Sequence, residues 1–228
     1  MSGAEAVGLV LGIISSIISV IEASQKVFDA ARDAKGLHEA FKKVAENVPL
    51  VLGTLRAAEE VQKKMEAEWQ SSDNTAKKQA IETTSEEIEP VFETCEADVR
   101  ALRDIFEKVV PGSEATRTER YRKALKTVLP GKKHKVEGLM QEILEKLQLL
   151  HTHHYFKAAV DISKIGAGIE ELRTLESSDA DLDARYVNSG SGPQNVHTGS
   201  GKQFNNTISG GTGNSQHIAD SQTFNYPK

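Results

Sequence analysis

The sequence predicts an all-α fold, a helical bundle of five or six helices, followed by a tail of different composition. Apolar residues recur every three or four positions through most of the chain, which is the period of a helix with one buried face. Aromatic residues make up only 5% of the chain, so the core must be aliphatic. The last part of the chain, residues 188–228, carries only three charges, Lys202, Asp220 and Lys228. We therefore expect a helical domain at 1–185 and a separate segment at 186–228.

The first predicted helix covers residues 4–31 and contains the uncharged stretch AVGLVLGIISSIISVI at 6–21. Large apolar side chains cover most of its circumference, which is typical of a helix buried on all sides. At 1.5 Å per residue this stretch spans roughly 24 Å, less than the roughly 30 Å hydrocarbon core of a bilayer. Two interpretations fit: a central helix of a soluble bundle, or a helix that is buried at rest and enters a membrane on activation.

Small residues of this helix lie on one stripe at three- and four-residue spacing: Gly8, Gly12, Ser15, Ser16, Ser19 and Ala23. Such a stripe permits close contact between helix backbones in a membrane. The residues predicted to act in membrane targeting are Gly8, Leu11, Gly12, Ile13, Ile14, Ile17 and Ile18.

The second predicted helix spans residues 35–70, with Pro49 expected to kink it. The sequence SSDN at 71–74 provides a turn and capping residues. A third helix then runs over 75–109, with Pro90 inside it, and ends at VPGSE, where proline and glycine interrupt the helix.

A fourth helix is predicted at 114–128, inside a basic run at 117–135 that holds eight Lys or Arg residues and one acid. This run could contact anionic lipid, or it could be a solvated face paired with acidic faces nearby. Helices at 133–150 and 156–175 complete the bundle. A buried face is marked by Leu139, Ile143, Leu147 and Leu150.

No constellation for catalysis, cofactor binding or metal binding is evident, and we expect no enzyme activity. The sequence GSGKQ lacks the P-loop pattern, because Val196 and Gln203 stand where glycine and Ser or Thr are needed. His151 and His154 lack further ligands, and Cys95 has no evident base. The net charge of −5 argues against nucleic-acid binding. The lone cysteine and the lack of a secretory signal favour the cytoplasm.

The tail is rich in Gly, Ser, Thr, Asn and Gln, and we interpret it as short strands separated by a glycine-rich turn. The strands are TGSGKQF at 198–204 and GTGNSQHI at 211–218, with a third possible at 221–226. Low charge and amide side chains suit stacked, in-register cross-β strands, and a single copy should be disordered. A plain disordered tail is the alternative. The predicted amyloid core comprises Asn195, Gly199, Gly201, Gln203, Phe204, Asn205, Asn206, Ile208, Gly211, Gly213, Gln216 and Ile218.

Residues 1–180 resemble the HeLo-like (HELL/SesA-type) domain of fungal cell-death effectors. The resemblance lies in GLVLGIISSIISVIEASQKVFDAA, in the helical pattern that follows, and in ISKIGAGIEELR. The tail resembles the amyloid signalling motifs that such effectors share with NOD-like receptors. QNVHTGSGKQFNN is similar to the pseudo-palindrome type, which is related to the RHIM of animal necroptosis proteins, and a sigma-type motif is the close competitor.

The resemblance implies a cell-death execution protein that is cytoplasmic while soluble. A NOD-like receptor with a matching motif would template the tail, the tails would self-assemble, and the first helix would enter and permeabilise the plasma membrane. Plasma-membrane lipid, including anionic lipid, is then a partner. The alternative is a non-lytic adaptor that assembles through its tail.

Overall fold

The computed structural model describes residues 3–112, 114–128, 135–176 and 178. The chain divides into two units, Met1–Arg185 and Tyr186–Lys228. Every described residue belongs to the first unit. The predicted strands and amyloid core of the tail, from Asn195 to Ile218, lie outside the described residues.

Within the described part of the chain there are seven α-helices, one short 3₁₀ helix and no β-strand, which confirms the all-α prediction. The 3₁₀ helix lies between the last two α-helices, at Leu150–Thr152. In chain order the α-helices are α1 (Gly3–Ala23), α2 (Gln25–Asp33), α3 (Glu39–Ser71), α4 (Thr75–Val109), α5 (Glu114–Val128), α6 (Val136–Leu149) and α7 (Ile162–Arg173).

The predicted first helix at 4–31 is in fact two helices that meet at Ser24, which raises the helix count above the predicted five or six. Ser24 is almost fully buried, and its hydroxyl donates to the Val20 carbonyl at 2.8 Å instead of capping α2. Just after this break, Phe28 packs edge-on against Phe106 of α4, with 4.9 Å between ring centroids. The interruption is confined to Ser24, whose hydroxyl bond to the carbonyl one turn earlier is a contact that often bends helices.

Two other predicted boundaries are corrected by local geometry. The helix predicted to begin at residue 35 begins at Glu39, because Gly36 adopts a left-handed conformation with φ of 67°. The helix predicted at 156–175 begins at Ile162, where the Asp161 side chain accepts a hydrogen bond from the Lys164 amide at 3.1 Å. Turns occupy residues 154–159.

The two long helices α3 and α4 form the frame of the bundle, and α3 continues through Pro49 without ending. Helix α1 packs against both α3 and α4, and α6 packs against the same two helices. Side chains of α1, α2, α3, α4 and α6 meet around one small apolar void, lined by Ile21, Phe28, Val48, Val51, Val99, Leu102, Met140 and Ile143. The apolar N-terminal helix is thus an integral part of the core.

Candidate membrane-active helix

Helix α1 buries one apolar face in the groove between α3 and α4. Over Glu5–Ala23, nineteen residues, it is long and apolar enough to cross a membrane, a criterion that a buried core helix also meets. These nineteen residues measure about 28 Å, close to the hydrocarbon thickness. Half of the segment is buried inside the bundle. Its buried side chains are Ala6, Val7, Val10, Ile13, Ile14, Ile17, Ile18, Val20 and Ile21.

The structure separates the predicted membrane-targeting residues into two groups. The four isoleucines, Ile13, Ile14, Ile17 and Ile18, belong to the core and Leu11 is half-buried. Gly12 is exposed to solvent and Gly8 is half-buried. The isoleucines therefore cannot reach a membrane while α1 stays in its groove.

The small-residue stripe is divided between solvent and the bundle. Gly12, Ser19 and Ala23 are exposed, whereas Gly8, Ser15 and Ser16 are half-buried. A Cβ atom added at Gly8 or Gly12 would meet no heavy atom within 4 Å. Leu9, with 40% of its surface exposed, is the large apolar side chain on the solvent side of α1. Between Glu5 and Glu22 the helix carries no charge. The solvent side of α1 is therefore small and uncharged, whereas solvent faces of helices in soluble proteins usually carry charged residues.

Two adjacent serines join α1 to the helices on either side of it. The Ser15 hydroxyl donates to Glu59 Oε1 of α3 at 2.7 Å. The Ser16 hydroxyl donates to Glu96 Oε1 of α4, also at 2.7 Å. Successive residues of a helix point about 100° apart, so a Ser-Ser pair can reach two different neighbours.

Each glutamate is also bound by a basic residue one turn further along its own helix. Lys63 Nζ lies 2.9 Å from Glu59 Oε2, and Arg100 Nη2 lies 2.6 Å from Glu96 Oε1. The hydrogen bonds from Lys63 and then Ser15 hold the pKa of Glu59 below its usual value. The pKa of Glu96 is lowered mainly by the Ser16 hydroxyl, with Arg100 contributing less. Both carboxyl groups are therefore ionised acceptors at neutral pH.

A third polar contact reaches the backbone of α1. The Gln62 side chain on α3 is completely buried, and its Nε2 donates to the Val7 carbonyl at 2.9 Å and lies 3.3 Å from the Ser85 hydroxyl of α4. This contact does not depend on the side chain at position 7. It links α1, α3 and α4 near the start of α1.

Comparison with models of protein families matches residues 14–150 to SesA, described as an N-terminal domain on NACHT_NTPase and P-loop NTPases. The match covers more than half of the chain, from the middle of α1 to the end of α6. The chain belongs to the SesA family. Neither curated proteins nor solved structures gave a match. The family confirms the HeLo-like character inferred from the helical sequence, and it suggests an N-terminal effector domain of NLR-type signalling.

The SesA domain also contains α5, the helix that lies within the basic run at 117–135. Tyr121 and Ala124 bury one side of α5, and the Tyr121 ring packs edge-on against Phe41 with 5.1 Å between centroids. Among the described residues, Lys123 and Lys126 are exposed and form no ion pair. The remainder of the basic run, residues 129–134, lies outside the described part.

The other residues weighed for chemistry are placed as follows. Cys95 is fully buried, and burial raises the pKa of its thiol to about 12, so it is protonated at neutral pH. His151 is half-buried and His154 is exposed against the Tyr155 ring. No group of three or more potential metal ligands occurs among the described residues.

Sequence reasoning missed three of the residues that hold α1 in place, Glu59, Glu96 and Gln62. They are separated from their partners by 44, 80 and 55 positions, and nothing local distinguishes them from other polar residues on α3 and α4. The available signal was the Ser-Ser pair in the middle of an apolar helix, which needs polar partners wherever it is buried.

Proposed function

We propose that this SesA-family protein is a cell-death execution protein whose helix α1 leaves its groove, inserts into the plasma membrane and permeabilises it. The observation that carries the proposal is the outward face of α1. A helix of spanning length exposes Leu9, Gly12 and Ser19 to solvent and carries no charge from residue 6 to residue 21. Such a helix can be surrounded by lipid without burying a charge.

The trigger in this proposal is assembly of the segment at 186–228. A NOD-like receptor that carries a matching amyloid motif templates cross-β strands in this segment, and the tails of many copies then stack. Support comes from the amide-rich, weakly charged sequence of the segment and from the family, whose domain occurs on NACHT NTPases. Stacking brings many copies of α1 together, and no catalytic step or cofactor is involved.

The membrane in this proposal is the cytoplasmic face of the plasma membrane, which carries anionic lipid. The exposed lysines of α5, Lys123 and Lys126, would contribute about 1 kcal/mol each near such a surface. The protein is cytoplasmic until this step.

The proposal is tested by dye release from anionic liposomes with the full chain, seeded with tail fibrils, comparing Gly12→Lys with Ala23→Lys. Position 12 is exposed in the bundle, so a lysine there should leave the soluble fold intact. Near the middle of a spanning helix it costs about 2.5–3.5 kcal/mol, so dye release should fall at least tenfold. Ala23 is also exposed but lies at the end of α1, where a lysine can reach the headgroups, so this variant should release dye like the wild type.

A non-lytic adaptor is the second candidate, and the burial of the isoleucine face of α1 in the core favours it. If α1 serves only the core, seeded wild-type protein binds its receptor and leaves liposomes intact. Equal dye release by the Gly12→Lys and Ala23→Lys variants would also reject insertion of α1.

A further inference from the structure

Helix α1 is held in its groove by two kinds of interaction. One kind would also form in a membrane, and the other would not. The buried isoleucines and valines of α1 are removed from water in the bundle, and they would also be removed from water in lipid. Lipid tails are as apolar as leucine side chains, so the burial of α1's own apolar side chains gives little preference for the groove over the bilayer. An equilibrium between two states is shifted only by interactions that differ between them.

The hydrogen bonds from Ser15 and Ser16 are present when α1 lies in its groove and are lost when α1 enters a bilayer. Their acceptors, Glu59 and Glu96, are carboxylates on α3 and α4, and these acceptors stay behind when α1 leaves. Both glutamate side chains are largely buried, with 19% and 22% of their surface exposed, so the bonds are partly shielded from water. Hydrogen bonds to an ionised acceptor are short and about twice as strong as neutral ones.

Lys63 and Arg100 keep the two acceptors in position. Because each base bonds the glutamate one turn away on the same helix, the carboxylates are already oriented and ionised when α1 docks. Arg100 Nη2 also lies 3.1 Å from the Ser16 hydroxyl, so this hydroxyl sits between a carboxylate and a guanidinium. Each acceptor is therefore held by a base on its own helix as well as by a serine of α1.

We propose that Ser15 with Glu59, and Ser16 with Glu96, form a two-sided latch that sets how readily α1 leaves the bundle. These four residues are positioning residues, because they hold α1 against α3 and α4. On release the serines leave with α1 and the glutamates stay on α3 and α4. The inference rests on the proposed function, in which release of α1 leads to membrane insertion. Release itself can be measured without a membrane.

The test compares the double variant Ser15→Ala/Ser16→Ala with Ser19→Ala in the full chain. Ser19 lies on the same helix and is exposed, and its hydroxyl donates to the Ser15 carbonyl of α1 itself at 2.9 Å. Ser19→Ala therefore adds the same kind of apolar surface and helix propensity without removing a bond to α3 or α4. The measurement is amide hydrogen exchange of α1 in solution at neutral pH, read by mass spectrometry, with α6 as an internal reference.

Loss of both bonds should speed exchange across α1 by at least roughly tenfold, with α6 unchanged. Ser19→Ala should exchange like the wild type in both helices. The latch is rejected if the double variant exchanges like Ser19→Ala, or if α1 and α6 accelerate equally, since that would mark a loss of global stability.

Liposome assays on the same three proteins separate the latch from the proposed function. If the latch and the proposed membrane permeabilisation are both correct, the double variant releases dye with less fibril seed than either the wild type or Ser19→Ala. If α1 of the double variant exchanges faster and none of the proteins releases dye, the latch stands and membrane execution is rejected.

Discussion

A single glycine on α7 shows how closely the bundle is packed at the level of one residue. A Cβ atom at Gly168 would lie 2.6 Å from Asn47 Oδ1 of α3 and 3.2 Å from Leu144 Cδ1 of α6. The Asn47 side chain cannot easily move away, because its Nδ2 donates to the Lys43 carbonyl at 2.9 Å. The position therefore requires glycine because α3, α6 and α7 approach closely there.

We predict that Gly168→Ala destabilises the domain by about 1–3 kcal/mol, because the added methyl group overlaps Asn47 and Leu144. Gly166, two positions earlier on the same helix, is the matched control. No heavy atom lies within 4 Å of a Cβ at Gly166, so Gly166→Ala should be neutral or stabilising by about 0.5–1 kcal/mol. Urea denaturation of both variants measures the difference, and equal midpoints would show that α7 shifts to accommodate the methyl group.

At the scale of one element, α1 has two faces with different roles. The buried isoleucine face completes the core. On the other face, a Cβ atom added at Gly8 or Gly12 would meet no heavy atom within 4 Å. Small residues let helices pack closely in membranes, where no hydrophobic force drives helices together. Since the glycines have no packing role in the resting bundle, their effect can be tested without disturbing the fold.

We predict that Gly12→Leu keeps liposome binding and loses dye release. Leucine adds apolar surface, which favours partitioning, but it blocks close approach of inserted helices through the stripe. Circular dichroism should match the wild type, because a Cβ atom at position 12 meets nothing within 4 Å. The melting temperature should be unchanged or slightly higher, because leucine favours the helix more than glycine does. A folded Gly12→Leu protein that releases dye normally would show that the inserted helices do not pack through this stripe.

At the scale of the whole molecule, the chain combines a charged helical unit with a unit of quite different chemistry. Residues 186–228 hold few charges and many amide and hydroxyl side chains, whereas residues 1–185 contain the helices and nearly all of the charge. Low charge reduces repulsion between stacked identical strands, and amide side chains can form ladders along a fibril. This composition is why the second unit is proposed to assemble while the first acts.

We predict that an isolated peptide of residues 188–228 forms fibrils with a 4.7–4.8 Å reflection. Gln203→Pro should prevent fibril formation, because proline removes a backbone donor from the strand ladder. X-ray fibre diffraction and thioflavin fluorescence provide the measurement. A peptide that remains monomeric at high concentration would reject the amyloid proposal, and fibrils of equal yield from Gln203→Pro would place the strand elsewhere.

The sequence by itself determined the helical class and those helix ends that depend on local signals. Helices α4 and α5 occupy the predicted residues, 75–109 and 114–128. The start of α4 is set by Asn74, whose side chain accepts from the Lys77 amide at 3.2 Å, and its end is followed by Pro111 and Gly112. Such signals act over a few residues, so they can be read from the chain alone.

Tertiary structure alone decided where the first helix breaks and which way its faces point. The residues of 4–31 favour one continuous helix, whereas in the fold Ser24 interrupts it and Phe28 packs against Phe106, 78 positions away. The pattern of α1 is apolar almost all round, so the sequence could not show that Gly12 faces solvent. Nor could it pair Ser15 with Glu59 or Ser16 with Glu96. These features depend on contacts between residues far apart in the chain, which local sequence patterns do not encode.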